Sequence, residues 1–298
     1  MQRRVFLIPF IVVILCSFTL NSKAEFNISV GDEFQYDVKT CNWSATIGPN
    51  SSSAQGFRIY NNHYNEGEDF TVKVIEKPDN NTAIVRFEKD GYISEHRRSA
   101  FGSWIYLLFM LQSPGFYVLP STEWNETLLQ QGPNIAFVVY PFFDSTESFW
   151  DQYEDQANST YISSLMTATH RNYTDIQITY EEKKGNVFIE RYMKYDYQSS
   201  YENTNFEVTS ESNVLLSIEL STGVLQGLRI LCHEVGDNNG TSFTLSSDFL
   251  VEIKDYNMPK FDLGDYAGLP GFTFYFVPLT LMLLVMTRFL IKKRRKKY

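Results

Sequence analysis

The chain has 298 residues, with 26 basic and 35 acidic side chains and a formal charge of −9. Its aromatic content of 16% and its ordinary charge density exclude a disordered chain. Residues 25–271 hold 16 basic against 35 acidic side chains, a charge of −19. Such a polyanion repels phosphate backbones, so nucleic acid is excluded as a partner.

The first segment is typical of exported proteins. Residues 1–24 begin with a basic pair, continue with apolar residues from 5 to 20, and end on the small side chains of Ser22 and Ala24. This order predicts a signal peptide that is cleaved after Ala24. An uncleaved N-terminal anchor is the alternative.

Alternation of apolar and polar residues dominates residues 25–254, the predicted extracellular domain. This pattern is typical of strands with one buried face, and it occurs at 34–38, 70–74, 83–87, 176–180, 189–197, 216–220, 224–230 and 243–253. Turn-forming residues separate neighbouring segments at 78–81, 184–186, 221–223 and 237–240. We therefore expect a mainly β (α+β) fold with at least eight antiparallel strands.

Three segments depart from this alternation. Residues 41–65 are rich in Asn, Ser and Gly and predict a long surface loop. The apolar run 104–111 is too short to cross a bilayer and predicts either a buried strand or helix turn, or the wall of an apolar cavity. Aromatic residues at helical spacing after Asp144 predict one amphipathic helix near 145–167 that packs on the sheet.

The end of the chain is typical of a membrane anchor. A short stalk, 255–271, precedes 20 largely apolar residues, 272–291, which are long enough for a transmembrane helix. The tail 292–298 is basic, which predicts a cytoplasmic tail and an extracellular domain on the cell surface. The membrane bilayer is thus an expected partner.

The predicted exterior carries eight Asn-x-Ser/Thr triplets, whereas composition predicts about three by chance. Surface N-glycosylation is the favoured interpretation, and a merely Asn- and Thr-rich chain is the alternative. The candidate acceptors are Asn27, Asn42, Asn50, Asn80, Asn125, Asn158, Asn172 and Asn239.

Two cysteines remain after the predicted cleavage, Cys41 and Cys232. An oxidising exterior would allow them to form a disulfide. The strand patterns around the two residues do not clearly place them on one face, so the sequence leaves the pairing open.

Motifs for catalysis and metal binding are missing from the sequence. The four histidines have no zinc-binding spacing, and there is no nucleophile elbow, Walker loop or dinucleotide-binding motif. Residues 237–240 resemble a calcium loop only superficially and predict a hairpin turn. His96, Arg97 and Arg98 could bind an anion, or could place one arginine inward in a salt bridge and one in solvent. We expect no cofactor, no metal and no enzymatic activity.

Two resemblances can be named. Pro270, Gly271 and Phe272, followed by the apolar span and basic tail, resemble the PGF-type sorting signal of archaeal cell-surface proteins of the choice-of-anchor kind. That resemblance implies a sorting transpeptidase as a partner, which can process the tail to a lipid anchor. The alternative is a helix-breaking Pro-Gly before an ordinary, retained transmembrane helix. The strand-rich body with a covering helix is similar in outline to LolA/LppX-like half-barrels, which implies a large curved antiparallel sheet around an apolar cavity.

The leading hypothesis is a non-enzymatic, membrane-anchored surface protein that binds an apolar or lipid-like ligand. The alternatives are a structural or adhesive component of the cell envelope, with envelope or S-layer neighbours, and a surface hydrolase. The candidate cavity residues are Trp104, Tyr106, Leu108, Phe109, Trp150, Tyr153 and Tyr161. The sequence leaves the ligand and the oligomeric state undetermined.

Overall fold

The computed structural model of the protein describes residues 25–59, 62–112, 140–157, 171–201 and 204–264. Within these residues the fold is mainly β, as predicted, with one large antiparallel sheet and a separate two-stranded hairpin. The strands, numbered β1 to β12 in chain order, are Glu33–Ile47, Asn50–Gln55, Phe57–Ile59, Asn62–Tyr64, Asp69–Asp79, Thr82–Lys89, Tyr92–Ser99, Arg171–Lys183, Asn186–Tyr201, Thr204–Glu219, Leu225–Asn238 and Thr241–Ile253.

The large sheet is a meander whose two halves meet in its centre. Its order is β7-β6-β5-β1-β12-β11-β10-β9-β8, and β2 adds to the far end of β1. Every neighbouring pair is antiparallel, because short hairpins connect most strands and the last strand, β12, pairs with the first, β1. The predicted turn at 237–240 is confirmed, with Asn239 and Gly240 at the positive φ that such a hairpin requires.

The predicted loop at 41–65 is wrong, because most of that segment is β-structure. Strand β1 continues to Ile47, and a bulge between Val38 and Thr40 shifts its register. The bulge moves Cys41, Trp43 and later alternate residues onto the face that carries Val38, so the period-two pattern breaks although the strand does not.

One face of the sheet, here called the core face, carries most of the hydrophobic core. Its buried side chains include Tyr36, Val72, Leu216, Ile230 and Phe249, and the partly buried Ile178 packs against them. The β3–β4 hairpin also packs on this core, with Phe57 5.9 Å from Phe249 between ring centroids. The opposite face of the sheet is called the back face.

Two helices are present among the described residues. Helix α1 is Ala100–Gln112 and helix α2 is Glu147–Ala157. The apolar run 104–111 is therefore part of a helix that follows β7 directly. Helix α2 confirms the first half of the predicted helix, and residues 158–167 lie outside the described part of the chain. Neither described helix is long and apolar enough to cross a membrane.

Residues 255–264, here called the C-terminal strap, pack on the back face and do not extend away from it as the predicted stalk would. The ring of Phe261 is fully buried with Leu215 and Leu231. The carboxylate of Glu190 accepts hydrogen bonds from the backbone N–H groups of Asp262 and Leu263, both at 2.9 Å. The remaining stalk residues and the predicted span lie outside the described residues.

Candidate functional site

Helices α1 and α2 meet in a cluster of aromatic rings on the core side of the sheet. Trp104 of α1 lies 6.0 Å from Tyr153 of α2, and Tyr153 lies 6.5 Å from Tyr180 of β8, between ring centroids. Trp150 contacts Tyr153 at 6.4 Å. Four predicted cavity residues are thus buried in this part of the structure: Trp104, Tyr106, Trp150 and Tyr153.

The side chains of the other three candidate cavity residues lie outside the described residues. Leu108 and Phe109 belong to helix α1, but their side chains lie outside the described part of the structure. Tyr161 lies in the undescribed stretch after α2. The structure therefore brings together the candidate residues from the first two turns of each helix, and leaves the later candidates undescribed.

Residues 140–143 link the β7 edge of the sheet to the turn between β10 and β11. The hydroxyl of Tyr140 donates to the Ser99 carbonyl at 2.8 Å, and the Phe143 N–H donates to the Gly223 carbonyl at 2.7 Å. A Cβ at Gly223 would lie 2.1 Å from the Phe143 carbonyl oxygen, so this crossing requires glycine.

The two adjacent arginines on β7 point to opposite faces, as the strand geometry predicts. The guanidinium of Arg98 lies 4.9 Å above the Tyr140 ring, whereas Arg97 is exposed. Arg98 thus stacks on an aromatic ring.

The centre of the core face carries polar side chains, whereas the positions around it are apolar. Five short or polar side chains lie there in neighbouring strands, and all are buried: Ser210, Ser212, Cys232, Glu234 and Ser247. They form two rows of register partners on neighbouring strands. One row contains Ser212, Cys232 and Ser247, and the other contains Ser210 and Glu234. We call these five residues the polar recess.

A buried arginine borders the polar recess. Arg191 of β9 is 1% exposed and lies on the core face, with Ile178 and Val214 as its register neighbours. Its guanidinium donates a hydrogen bond to the Ser212 hydroxyl at 3.1 Å. On the far side of the recess, the Ser210 hydroxyl donates to the Glu234 carboxylate at 3.2 Å.

Burial and charge act on the tyrosines next to this region. Burial raises the pKa of Tyr153, and the nearby positive charge of Arg191 partly opposes that rise. Burial likewise raises the pKa of Tyr106, with Arg98 as the opposing charge. Both hydroxyls therefore stay protonated at neutral pH, and a protonated hydroxyl can donate a hydrogen bond.

Sequence reasoning missed the polar recess and Arg191, although a signal was present. Along β9 the alternation of core-face residues passes from Ile189 to Met193, and the position that it omits is Arg191. Along β12 it passes from Leu245 to Phe249 and omits Ser247. A polar residue in phase with a buried apolar face is the pattern that identifies such a site.

No disulfide joins Cys41 and Cys232, and both side chains are buried. Cys41 pairs with Phe249 of β12, whereas Cys232 lies on β11, beyond that strand and two residues along it. Two strand spacings are about 10 Å, which exceeds the Cα separation of a disulfide. Burial raises the pKa of the Cys41 thiol to about 11.

The candidate glycosylation sites fall mainly on exposed positions. Asn27, Asn80, Asn172 and Asn239 are exposed and Asn42 is half-buried. The side chain of Asn50 and all of Asn125 and Asn158 lie outside the described residues, as does the anchor signal Pro270, Gly271 and Phe272. Glycosylation and anchoring stay predictions.

One pair of residues bears on the hydrolase alternative. His233 Nδ1 lies 2.8 Å from Ser246 Oγ, across neighbouring strands on the back face. Because β12 lies between β1 and β11, its backbone N–H groups are engaged in the sheet on both sides. The backbone N–H groups of β12 next to Ser246 are therefore engaged in the sheet and do not serve as donors for an oxyanion.

Metal binding has no support in the part of the chain that the structure describes, where no three His, Cys, Asp or Glu side chains form a group that could hold an ion. Comparison with known proteins found no protein-family model and no curated protein that matches the chain.

Proposed function

We propose that the chain is a non-enzymatic, membrane-anchored cell-surface protein that binds an apolar or lipid-like ligand against the core face of its sheet. The observation that carries this proposal is the polar recess. Short side chains occupy the centre of a face whose other positions carry Phe, Tyr, Leu and Ile. Serines occupy less volume than a phenylalanine at the same position, and in this proposal part of a bound ligand occupies that difference.

The placement of the helices supports a curved sheet around this space. Eight spacings across nine strands would separate β7 and β8 by about 38 Å in a flat sheet. Yet α1, which follows β7, reaches Tyr180 of β8 through two ring contacts of 6.0 and 6.5 Å. A sheet that bends toward its core face would bring its two edges together in this way.

The apolar lining is also consistent with a lipid-like ligand. Trp104, Phe149 and Trp150 form edge-to-face contacts at 5.5 and 4.8 Å above the sheet. Large rings of this kind bury much apolar area, and a few polar groups among them would fix the orientation of a ligand. A structural envelope protein would need only a filled interior.

Native mass spectrometry of the full chain, purified from membranes in detergent, tests the proposal. A lipid-sized adduct should survive removal of the micelle, and Ser212→Leu should abolish it by filling the recess. Ser242→Leu, on the exposed back face of β12, is the matched control and should retain the adduct. If no adduct is found, or if both variants keep it, the structural alternative is favoured.

A further inference from the structure

Helix α2 presents two buried polar groups without hydrogen-bond partners. The indole N–H of Trp150 and the hydroxyl of Tyr153 belong to side chains that are 2% and 0% exposed, and neither group has a partner among the described residues. Each unmet buried donor costs about 1–3 kcal/mol. Two such costs on one helix indicate that a ligand group binds there in the functional protein.

The two groups belong to neighbouring side chains of helix α2. Trp150 and Tyr153 are three residues apart, so they lie on one face of α2, and their rings are 6.4 Å apart. The indole nitrogen can only donate, and the protonated tyrosine hydroxyl can donate as well. A ligand group at this position must therefore be a hydrogen-bond acceptor.

Arg191 supplies positive charge to the same region. Its register neighbour on β8 is Ile178, two residues from Tyr180, whose ring contacts Tyr153. The effect of its charge on the pKa of Tyr153 agrees with this proximity. The inference depends on the two unmet groups of α2 and not on the bonding state of Arg191.

We propose that Trp150, Tyr153 and Arg191 hold the anionic head group of an amphiphilic ligand, a carboxylate or a phosphate, while its apolar tail lies along the apolar side chains of the core face beside the polar recess. This inference rests on the function proposed above and names the ligand class. Two neutral donors beside a buried cation suit an oxyanion, because hydrogen bonds to charged acceptors are about twice as strong as neutral ones. A neutral alcohol of the same tail length would gain much less.

The test compares three probes that share one oleyl-type tail. Oleate carries a carboxylate, oleoyl lysophosphatidate carries a phosphate, and oleyl alcohol is neutral. Binding to the full chain in detergent is measured by native mass spectrometry over a series of probe concentrations. We expect one of the anions to bind at least about tenfold more tightly than the alcohol, and the tighter anion identifies the head group.

Tyr153→Phe is the decisive variant, because it removes one hydroxyl and preserves the ring. It should weaken binding of the preferred anion about tenfold, the effect of one hydrogen bond to a charged group, and leave the alcohol unchanged. Trp150→Phe should act in the same direction. Tyr92→Phe, on an exposed side chain, is the control.

The outcomes separate this inference from the proposed function. If the alcohol and both anions bind equally, or if Tyr153→Phe leaves anion binding unchanged, the head-group inference is overturned while ligand binding stands. If none of the three probes binds, the proposed function fails, and the inference fails with it.

Discussion

The attachment of the C-terminal strap depends on one carboxylate, and its removal makes a sharp prediction. Glu190 is buried on the back face and accepts hydrogen bonds from the Asn213 side chain and from the backbone N–H groups of Asp262 and Leu263. Glu190→Ala would leave these three donors without their acceptor. The strap should then open far more often, although Phe261 remains packed in its pocket.

The magnitude follows from the three lost bonds. Each unmet buried donor costs about 1–3 kcal/mol, and the two half-buried backbone groups recover part of that cost from water once the strap opens. We expect a net loss of about 3 kcal/mol in local stability, which makes the equilibrium constant for opening of the strap about a hundredfold larger. Glu190→Gln keeps one acceptor oxygen, so its effect should be smaller, about tenfold.

Amide hydrogen exchange of the full chain measures this directly. The N–H groups of Asp262 and Leu263 should exchange about a hundredfold faster in Glu190→Ala, while amides of the central strands stay protected. Glu181→Ala, on a carboxylate that is largely exposed beside Lys183, is the control and should change nothing at the strap. Rapid exchange of both amides in the unaltered protein would refute the packed strap.

Three further predictions concern buried groups. Burial raises the pKa of the Asp248 carboxyl to about 6, so the folded state holds this proton more tightly than the unfolded chain does. The free energy of unfolding should therefore fall as the pH rises from about 4 to about 6. Urea unfolding at several pH values should show a weaker pH dependence for Asp248→Asn. Alkylation in denaturant without reductant, followed by peptide mass spectrometry, should label both Cys41 and Cys232; a linked peptide would contradict the strand register. Tyr36→Phe removes a buried 2.9 Å hydrogen bond to a backbone carbonyl and should lower the free energy of unfolding by about 1–2 kcal/mol, against no change for the exposed Tyr92→Phe.

The sheet itself was predictable because its determinants are local. Two-residue turns such as Lys184-Gly185 lie between alternating segments and require positive φ, which both residues adopt. Such turns fix the register of the strands on either side, and consecutive hairpins then build an antiparallel meander. The pairing of β1 with β12 was not accessible in this way, because no local signal joins strands from opposite ends of the chain.

The predictions for β1 and β10 were too short for the same reason. In both strands the alternation of polar and apolar side chains ends although the backbone continues as a strand. The bulge after Val38 reversed the phase of β1, so a continuous strand looked like the beginning of a loop. In β10 the core-facing positions 210 and 212 are serines, and their neighbours Thr209 and Glu211 on the back face are also polar, so the alternation of polarity vanishes. The strand persists because its backbone is paired on both sides, with β9 and β11.

The same mismatch is informative about function. A serine or arginine on a buried face gives up the stabilisation that an apolar residue would contribute, about 1.5–3 kcal/mol per large side chain. Arg191 and Ser212 share a hydrogen bond, which offsets part of the cost of their burial. Trp150 and Tyr153 on α2 are not satisfied in this way by any described residue. A filled apolar interior would need none of these four groups, so their presence on the core side supports the proposal of a bound polar group over a solid core.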